Sequence, residues 1–146
     1  MPSHSSILLI EDSPGECELF RLALSQTGLE VALYTEHDAE AAFHFLEDRA
    51  HHFPFPTLIV LDLQLYGQNG CDFLKRLRSD ARFAAIPVVI FTTSDDPADL
   101  ARCYANGANG YVVKPGTFEQ LVQCVGDIGR YWIDRNLTAY PIGVQC

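Results

Sequence analysis

Short, strongly apolar runs recur along the chain and alternate with longer stretches in which apolar positions return every three or four residues. Five runs stand out, at residues 7–10, 31–35, 58–61, 88–91 and 111–113. They are rich in Ile, Leu and Val and too short for stable helices, so each predicts a β-strand. The first, third and fourth show no polar alternation, as expected of strands covered on both faces. Alternating strands and amphipathic helices predict an α/β fold, a parallel sheet with helices packed against it.

The predicted helices begin at caps. Ser13-Pro14-Gly15-Glu16 joins the Ser and Glu of a capping box to Pro at the first helical position, and Gly28 stands where the chain must leave that helix. Asp38 caps a second helix running towards Ala50. Asn69-Gly70 opens a third, in which Phe73, Leu74 and Leu77 share a face, and Asp96-Pro97 opens a fourth ending near Gly107. Thr117 to Gln120 is a second capping box, after which Leu121, Cys124, Val125, Ile128 and Trp132 recur at helical spacing. The connection from His51 to Pro56 and the tail from Asn136 to Cys146 read as loops. His51 and His52 lack a third metal ligand nearby and are given no role. The tail is apolar enough to suggest an arm docked on a surface.

A chain of 146 residues with 48% hydrophobic content suits one globular domain, with a core over about 6–135 and a short tail at 136–146. No apolar run approaches the roughly 20 residues of a membrane span, and no signal peptide is visible, so a cytoplasmic protein is expected. Ten basic against 19 acidic residues give a net charge of -9, which opposes binding to nucleic acid or an anionic membrane. The five cysteines are scattered and form no C-x-x-C pair. They read as small core residues in a reducing cytosol, with Cys146 the candidate exposed thiol.

Five alternating units predict a flavodoxin-like doubly wound sheet of order 2-1-3-4-5, in which ligands gather at the carboxyl ends of the strands. That order sets strands one and three side by side. Glu11 and Asp12 follow the first strand and Asp62 follows the third, so three carboxylates converge. At about 4 Å and an effective dielectric of about 20, each ionised pair repels by roughly 4 kcal/mol, so the cluster must bind a cation or hold protons. Oxygen ligands of this kind suit Mg²⁺. Thr92 after the fourth strand and Lys114 after the fifth supply a hydroxyl and a point charge suited to a phosphoryl group.

The segments I-L-L-I-E-D-S at residues 7–13, L-I-V-L-D-L at 58–63, Gly70, F-T-T-S at 91–94 and G-Y-V-V-K-P at 110–115 resemble the receiver domain of bacterial two-component response regulators, and the chemotaxis regulator in particular, over residues 6 to about 130. The resemblance implies that Asp62 accepts a phosphoryl group from a histidine kinase. It further implies that Glu11, Asp12, Asp62 and the backbone carbonyl of Gln64 hold Mg²⁺, that Lys114 contacts a phosphoryl oxygen, and that Thr92 and Tyr111 switch on phosphorylation. A cis Lys114–Pro115 bond is also implied, with Gln64 and Ser94 tuning the lifetime of the phosphate. Such a domain is a phosphoacceptor that assists its own phosphotransfer and dephosphorylation, and is not an enzyme in the usual sense.

Two positions depart from the pattern. Tyr66 stands where receivers usually carry Pro, and Thr93 is larger than the usual Ala or Gly. The rival reading is a haloacid-dehalogenase-type aspartyl-phosphate phosphatase, but Asp62-Leu63-Gln64 lacks the second acid of its D-x-D signature. A flavodoxin-like cofactor module is disfavoured because no glycine-rich loop follows the first strand. Few residues follow the last helix, so a stand-alone regulator is expected. Thr92-Thr93-Ser94, the Pro-containing approach to the third strand, and Tyr131-Trp132-Ile133-Asp134 followed by Pro141 resemble the regulators paired with bacterial and cyanobacterial phytochromes. That resemblance implies a phytochrome-type histidine kinase as partner. It also implies a homodimer formed by the last strand, last helix and tail, to which Trp132 and Tyr140 are candidate contributors.

Overall fold

The computed structural model describes residues 5–52, 55–65 and 68–139. Five parallel strands form one sheet: β1 (Ser6–Ile10), β2 (Ala32–Glu36), β3 (Leu58–Leu61), β4 (Val88–Thr92) and β5 (Gly110–Val113). Their spatial order is β2-β1-β3-β4-β5, the expected doubly wound arrangement. Leu8 lies beside Tyr34 on one side and Ile59 on the other, Val60 pairs with Val89, and Ile90 pairs with Tyr111. This register brings the ends of β1 and β3 level with each other. No helix among the described residues is long and apolar enough to cross a membrane.

The helices are α1 (Pro14–Ser25), α2 (Ala39–His52), α3 (Gly70–Ser79), α4 (Pro97–Ala105) and α5 (Phe118–Gly129). Each expected cap is formed. Ser13, Asp38, Asn69, Asp96 and Thr117 accept side-chain bonds from the N–H groups of Glu16, Ala41, Cys71, Ala98 and Gln120. Gly28 and Gly107 take positive φ values of 77° and 101°, which turn the chain away after α1 and α4.

Two expectations are corrected here. The second helix does not stop near Ala50 but carries on through His51 and His52, since no helix-breaking residue occurs in the sequence before Pro54. The last helix changes at Gly129 into a π-helical turn over Arg130–Arg135, closed by the Asn136 N–H donating to the Tyr131 carbonyl at 2.7 Å.

Alternate residues of the sheet feed two cores. Leu8, Ile10, Ile59, Leu61, Val88 and Ile90 face α2 and α3, whereas Ile7, Leu9, Leu58, Val60, Val89 and Phe91 face α1 and α5. Both sets are buried, which is why the strand sequences lack polar alternation. The first core is aromatic, with Phe43 edge-on to Phe73 and Phe83, and Phe55 edge-on to Phe83.

Arg78 ties the end of α3 to the start of β4 and to the loop before β5. Its guanidinium donates to the carbonyls of Gly107 at 2.9 Å, Ile86 at 2.7 Å and Ala84 at 3.1 Å, and to Asn109 Oδ1 at 2.7 Å. Asn109 Oδ1 also accepts from the Val88 N–H at 2.8 Å. Burial pushes the Arg78 pKa below its ordinary value, and the four acceptors offset that desolvation. Arg78→Ala is expected to lower unfolding free energy by about 2–4 kcal/mol, since it leaves partly buried acceptors unpaired. Urea denaturation followed by circular dichroism checks this, and a loss under about 0.5 kcal/mol would make the side chain a surface residue.

Candidate functional site

The carboxyl end of the sheet gathers the expected residues. Glu11 continues from β1, and its N–H donates to the Glu36 carbonyl at the end of β2 at 3.0 Å. Asp62 continues from β3, with its N–H on the Ile10 carbonyl at 3.0 Å. These bonds extend the ladder by one residue and fix the two acids side by side. Carboxylate oxygens of Glu11, Asp12 and Asp62 all lie within 4.8 Å of one another, forming the one candidate metal cluster among the described residues. Glu11 is 3% and Asp62 8% exposed, so neither charge is dispersed by water.

Lys114 answers that charge. It follows β5, with its N–H on the Thr92 carbonyl at 2.7 Å, and its ammonium lies 2.6 Å from Glu11 Oε1 and 3.2 Å from Asp62 Oδ2. It reaches them through a trans Lys114–Pro115 bond. No cis peptide occurs among the described residues, so the cis expectation is overturned. Trans is the cheaper form by about 0.5–1 kcal/mol, and the flexible lysine stem covers the distance without isomerisation.

The side chain that sequence reasoning missed is Glu16. As a capping-box residue it should accept from the Ser13 N–H, yet that N–H points to Glu11 Oε2 at 3.4 Å, and the Glu16 carboxylate instead takes a hydrogen bond from Lys114. Pro14 at the first turn and the Ser13 cap hold α1 so that Glu16 leans back over the strand ends. Burial, then the hydrogen bond to Glu16 and repulsion from Asp62, pushes the Glu11 carboxyl up to about 8 despite the lysine. Its hydrogen bond with Glu11 holds Glu16 below the carboxylate range. For Lys114, burial opposes the charge, but the bonds to Glu11 and Glu16 outweigh it and raise its pKa. Lys114 thus bridges Glu11, Glu16 and Asp62 while burial opposes charge on Glu11. A hard divalent cation entering among the oxygens of Glu11, Asp12 and Asp62 would offset that penalty, so this donor set fits such an ion.

The remaining residues line the rim. Asp62 Oδ1 accepts from the Gln64 N–H at 3.2 Å, at the start of a small antiparallel ribbon formed by Gln64–Leu65 and Gln68–Asn69. Tyr66, which lies between them, is outside the described residues. The ribbon returns to Gly70, whose N–H donates to the Leu63 carbonyl at 2.7 Å. A Cβ at Gly70 would sit 2.5 Å from the Asp62 carbonyl oxygen and 2.9 Å from Leu63 Cα, so only glycine lets α3 begin against the Asp62 backbone. Thr92 is 1% exposed, and its Oγ1 accepts from the Ser94 N–H at 3.3 Å. The Tyr111 hydroxyl donates to the Ser94 carbonyl at 2.9 Å, which links both expected switch residues through one loop. Thr93 is exposed at the rim.

Known proteins are similar to this chain in sequence and fold. The chain is 35% identical to the probable methanogenesis regulatory protein FilR2 of Methanothrix harundinacea, over 92% of this chain and 88% of that one. It is 31% identical to response regulator Rcp1 of Synechocystis over 88% of each. A Mn²⁺-bound crystal structure of a response regulator Rcp1 superposes with a TM-score of 0.81 at 29% identity, covering 92% of this chain and 99% of that one. The phosphorylated cyanobacterial phytochrome response regulator RcpA gives 0.84 at 29% identity, covering 93% and 99%. Bacteriophytochrome response regulator RtBRR gives 0.71 at 35% identity, covering 95% and 85%. Residues 7–126 match the response regulator receiver domain, and a carboxylate pair closed by a lysine at the ends of β1, β3 and β5 is the chemistry such a domain needs: the chain belongs to the receiver domains of two-component response regulators.

Proposed function

We propose that Asp62 accepts a phosphoryl group from the phosphohistidine of a histidine kinase. The observation that carries this is the placement of Asp62 Oδ2 3.2 Å from the Lys114 ammonium, beside Glu11 and Asp12. In the transfer the P–N bond to histidine breaks, a P–O bond to Asp62 forms, and the product is an acyl phosphate. Lys114 stands where it can neutralise an equatorial oxygen of the transferring group. Magnesium, held by Glu11, Asp12, Asp62 and the Gln64 backbone carbonyl, would neutralise charge on the other oxygens. Thr92 turns its hydroxyl from Ser94 to the new phosphate, which loosens the loop that Tyr111 grips and lets that ring change rotamer. The likeness to RcpA and RtBRR supports a phytochrome-type histidine kinase as partner, and a cytoplasmic location follows from that partner.

The receiver domain pairs with a second copy through β5, α5 and the tail. Val113, Phe118 and Tyr131 are exposed on that side, and Leu137 is 94% exposed. These side chains support an apolar interface. Tyr140 and the rest of the tail lie outside the described residues.

Acetyl phosphate with Mg²⁺ is expected to label the wild-type protein stoichiometrically, with labelling lost in Asp62→Asn and on chelation of the metal. Intact-mass spectrometry reads the adduct, and labelling that persists in Asp62→Asn would move the acceptor elsewhere. Glu16→Gln is expected to free Lys114 for Asp62 and speed labelling by roughly two- to fivefold, the worth of one partly exposed ion pair. A slower rate would make Glu16 a support of the lysine instead of a competitor for it. Sedimentation is expected to show a dimer for the full chain and a monomer for a chain ending at Asn136. A monomer in both cases would remove the dimer.

A further inference from the structure

Two cysteines far apart in the sequence meet inside the molecule. Cys71, at the start of α3, and Cys103, on α4, place their sulfurs 3.4 Å apart, and they are 3% and 0% exposed. Both are free thiols. All of α4 is described, and of its residues Cys103 alone is buried. Cys103 is therefore the side chain by which α4 enters the core, and there its sulfur meets that of Cys71. A helix held by so little apolar contact opens locally at low cost, and such openings expose both sulfurs together.

The surroundings distinguish the two thiols. Cys71 lies in the first turn of α3, its N–H donating to the Asn69 cap at 2.8 Å. Burial and then the contact with Cys71 push the Cys103 thiol up to about 12. Cys71 thus stands at the start of a helix and Cys103 in the last turn of one, and this placement distinguishes the sulfur that would attack from the one that would follow. Arg102 holds Asp99 at 2.6 Å, and the Asp99 carboxylate accepts from Ser94 Oγ at 2.6 Å. Ser94 is the residue that Thr92 and Tyr111 both contact.

We propose that Cys71 and Cys103 form a dithiol oxidised by small peroxides, with Cys71 attacking and Cys103 resolving, and that the resulting disulfide fastens α4 to α3. In the first step the Cys71 thiolate attacks one peroxide oxygen, the O–O bond breaks and Cys71 becomes a sulfenic acid while hydroxide leaves. In the second, the Cys103 sulfur attacks that of Cys71, the S–S bond forms, and the Cys103 proton departs with the sulfenic oxygen as water. Two thiols are oxidised, one hydrogen peroxide is reduced, and two waters result. Burial selects a small oxidant over a bulky disulfide. The bond would hold the loop from Thr92 to Asp99 through Arg102 and so restrain the segment that the switch must move.

The test treats the reduced full-length protein with hydrogen peroxide, blocks free thiols and maps peptides without reductant. The expected result is a cross-linked pair carrying Cys71 and Cys103, lighter by two hydrogens and released by dithiothreitol. In Cys103→Ser, dimedone should trap a sulfenic acid on Cys71, whereas Cys71→Ser should leave Cys103 unmodified at the same dose. Hydrogen exchange of the α4 amides should slow by on the order of tenfold in the cross-linked protein. Peroxide treatment that leaves both residues alkylatable, or that pairs either with another cysteine, overturns the proposal. Equal α4 exchange before and after cross-linking overturns the tether. Both readouts are independent of whether Asp62 takes phosphate, so failure here and failure of the phosphoacceptor reading are told apart.

Discussion

The ammonium of Lys114 among the carboxylates of Glu11, Glu16 and Asp62 is the interaction on which the site depends. Glu11 and Asp62 have little access to water and cannot both carry charge without a cation nearby, and burial beside Asp62 pushes the Glu11 pKa up even with the lysine in place. A divalent cation entering among the acids would meet opposite charge there, and a phosphoryl group would meet it at Lys114. A hydrophobic residue in place of Lys114 would leave the acids unpaired, and a fully neutral cluster would have no use for a metal.

The sheet makes this buried charge affordable to the fold. Glu11 and Asp62 are each fixed by a backbone bond that extends a buried parallel ladder, and the ladder is held by two apolar cores. The acids are thus presented by rigid backbone, and side-chain rearrangement absorbs the change when the site is filled. Gly70 shows how tight the presentation is: α3 begins so close to the Asp62 backbone that no Cβ fits. α4 and the loop before it are held more sparsely, by one buried cysteine and a chain of polar contacts through Ser94, Asp99 and Arg102.

Much of the fold was legible in the chain. Strand positions followed from apolar runs, and the caps at Ser13, Asp38, Asn69, Asp96 and Thr117 from local side-chain chemistry, because both depend on neighbours within a few residues. The last turns escaped it. The second helix ran on to His52 because loop composition is a weaker constraint than the lack of a breaker, and the π-helical turn over Arg130–Arg135 keeps the helical spacing of the apolar stripe while changing its hydrogen-bond pattern.

The acids, hydroxyl and lysine of the site could be named from the sequence because the carboxyl ends of a doubly wound sheet are defined by strand order, and strand order follows from alternation. Glu16, the trans Lys114–Pro115 bond and the Cys71–Cys103 contact could not. Each depends on how far a side chain reaches across the sheet or between helices, and that distance exists only once the elements are packed. Local pattern determined which groups stand at the strand ends, and tertiary packing decided which of them touch.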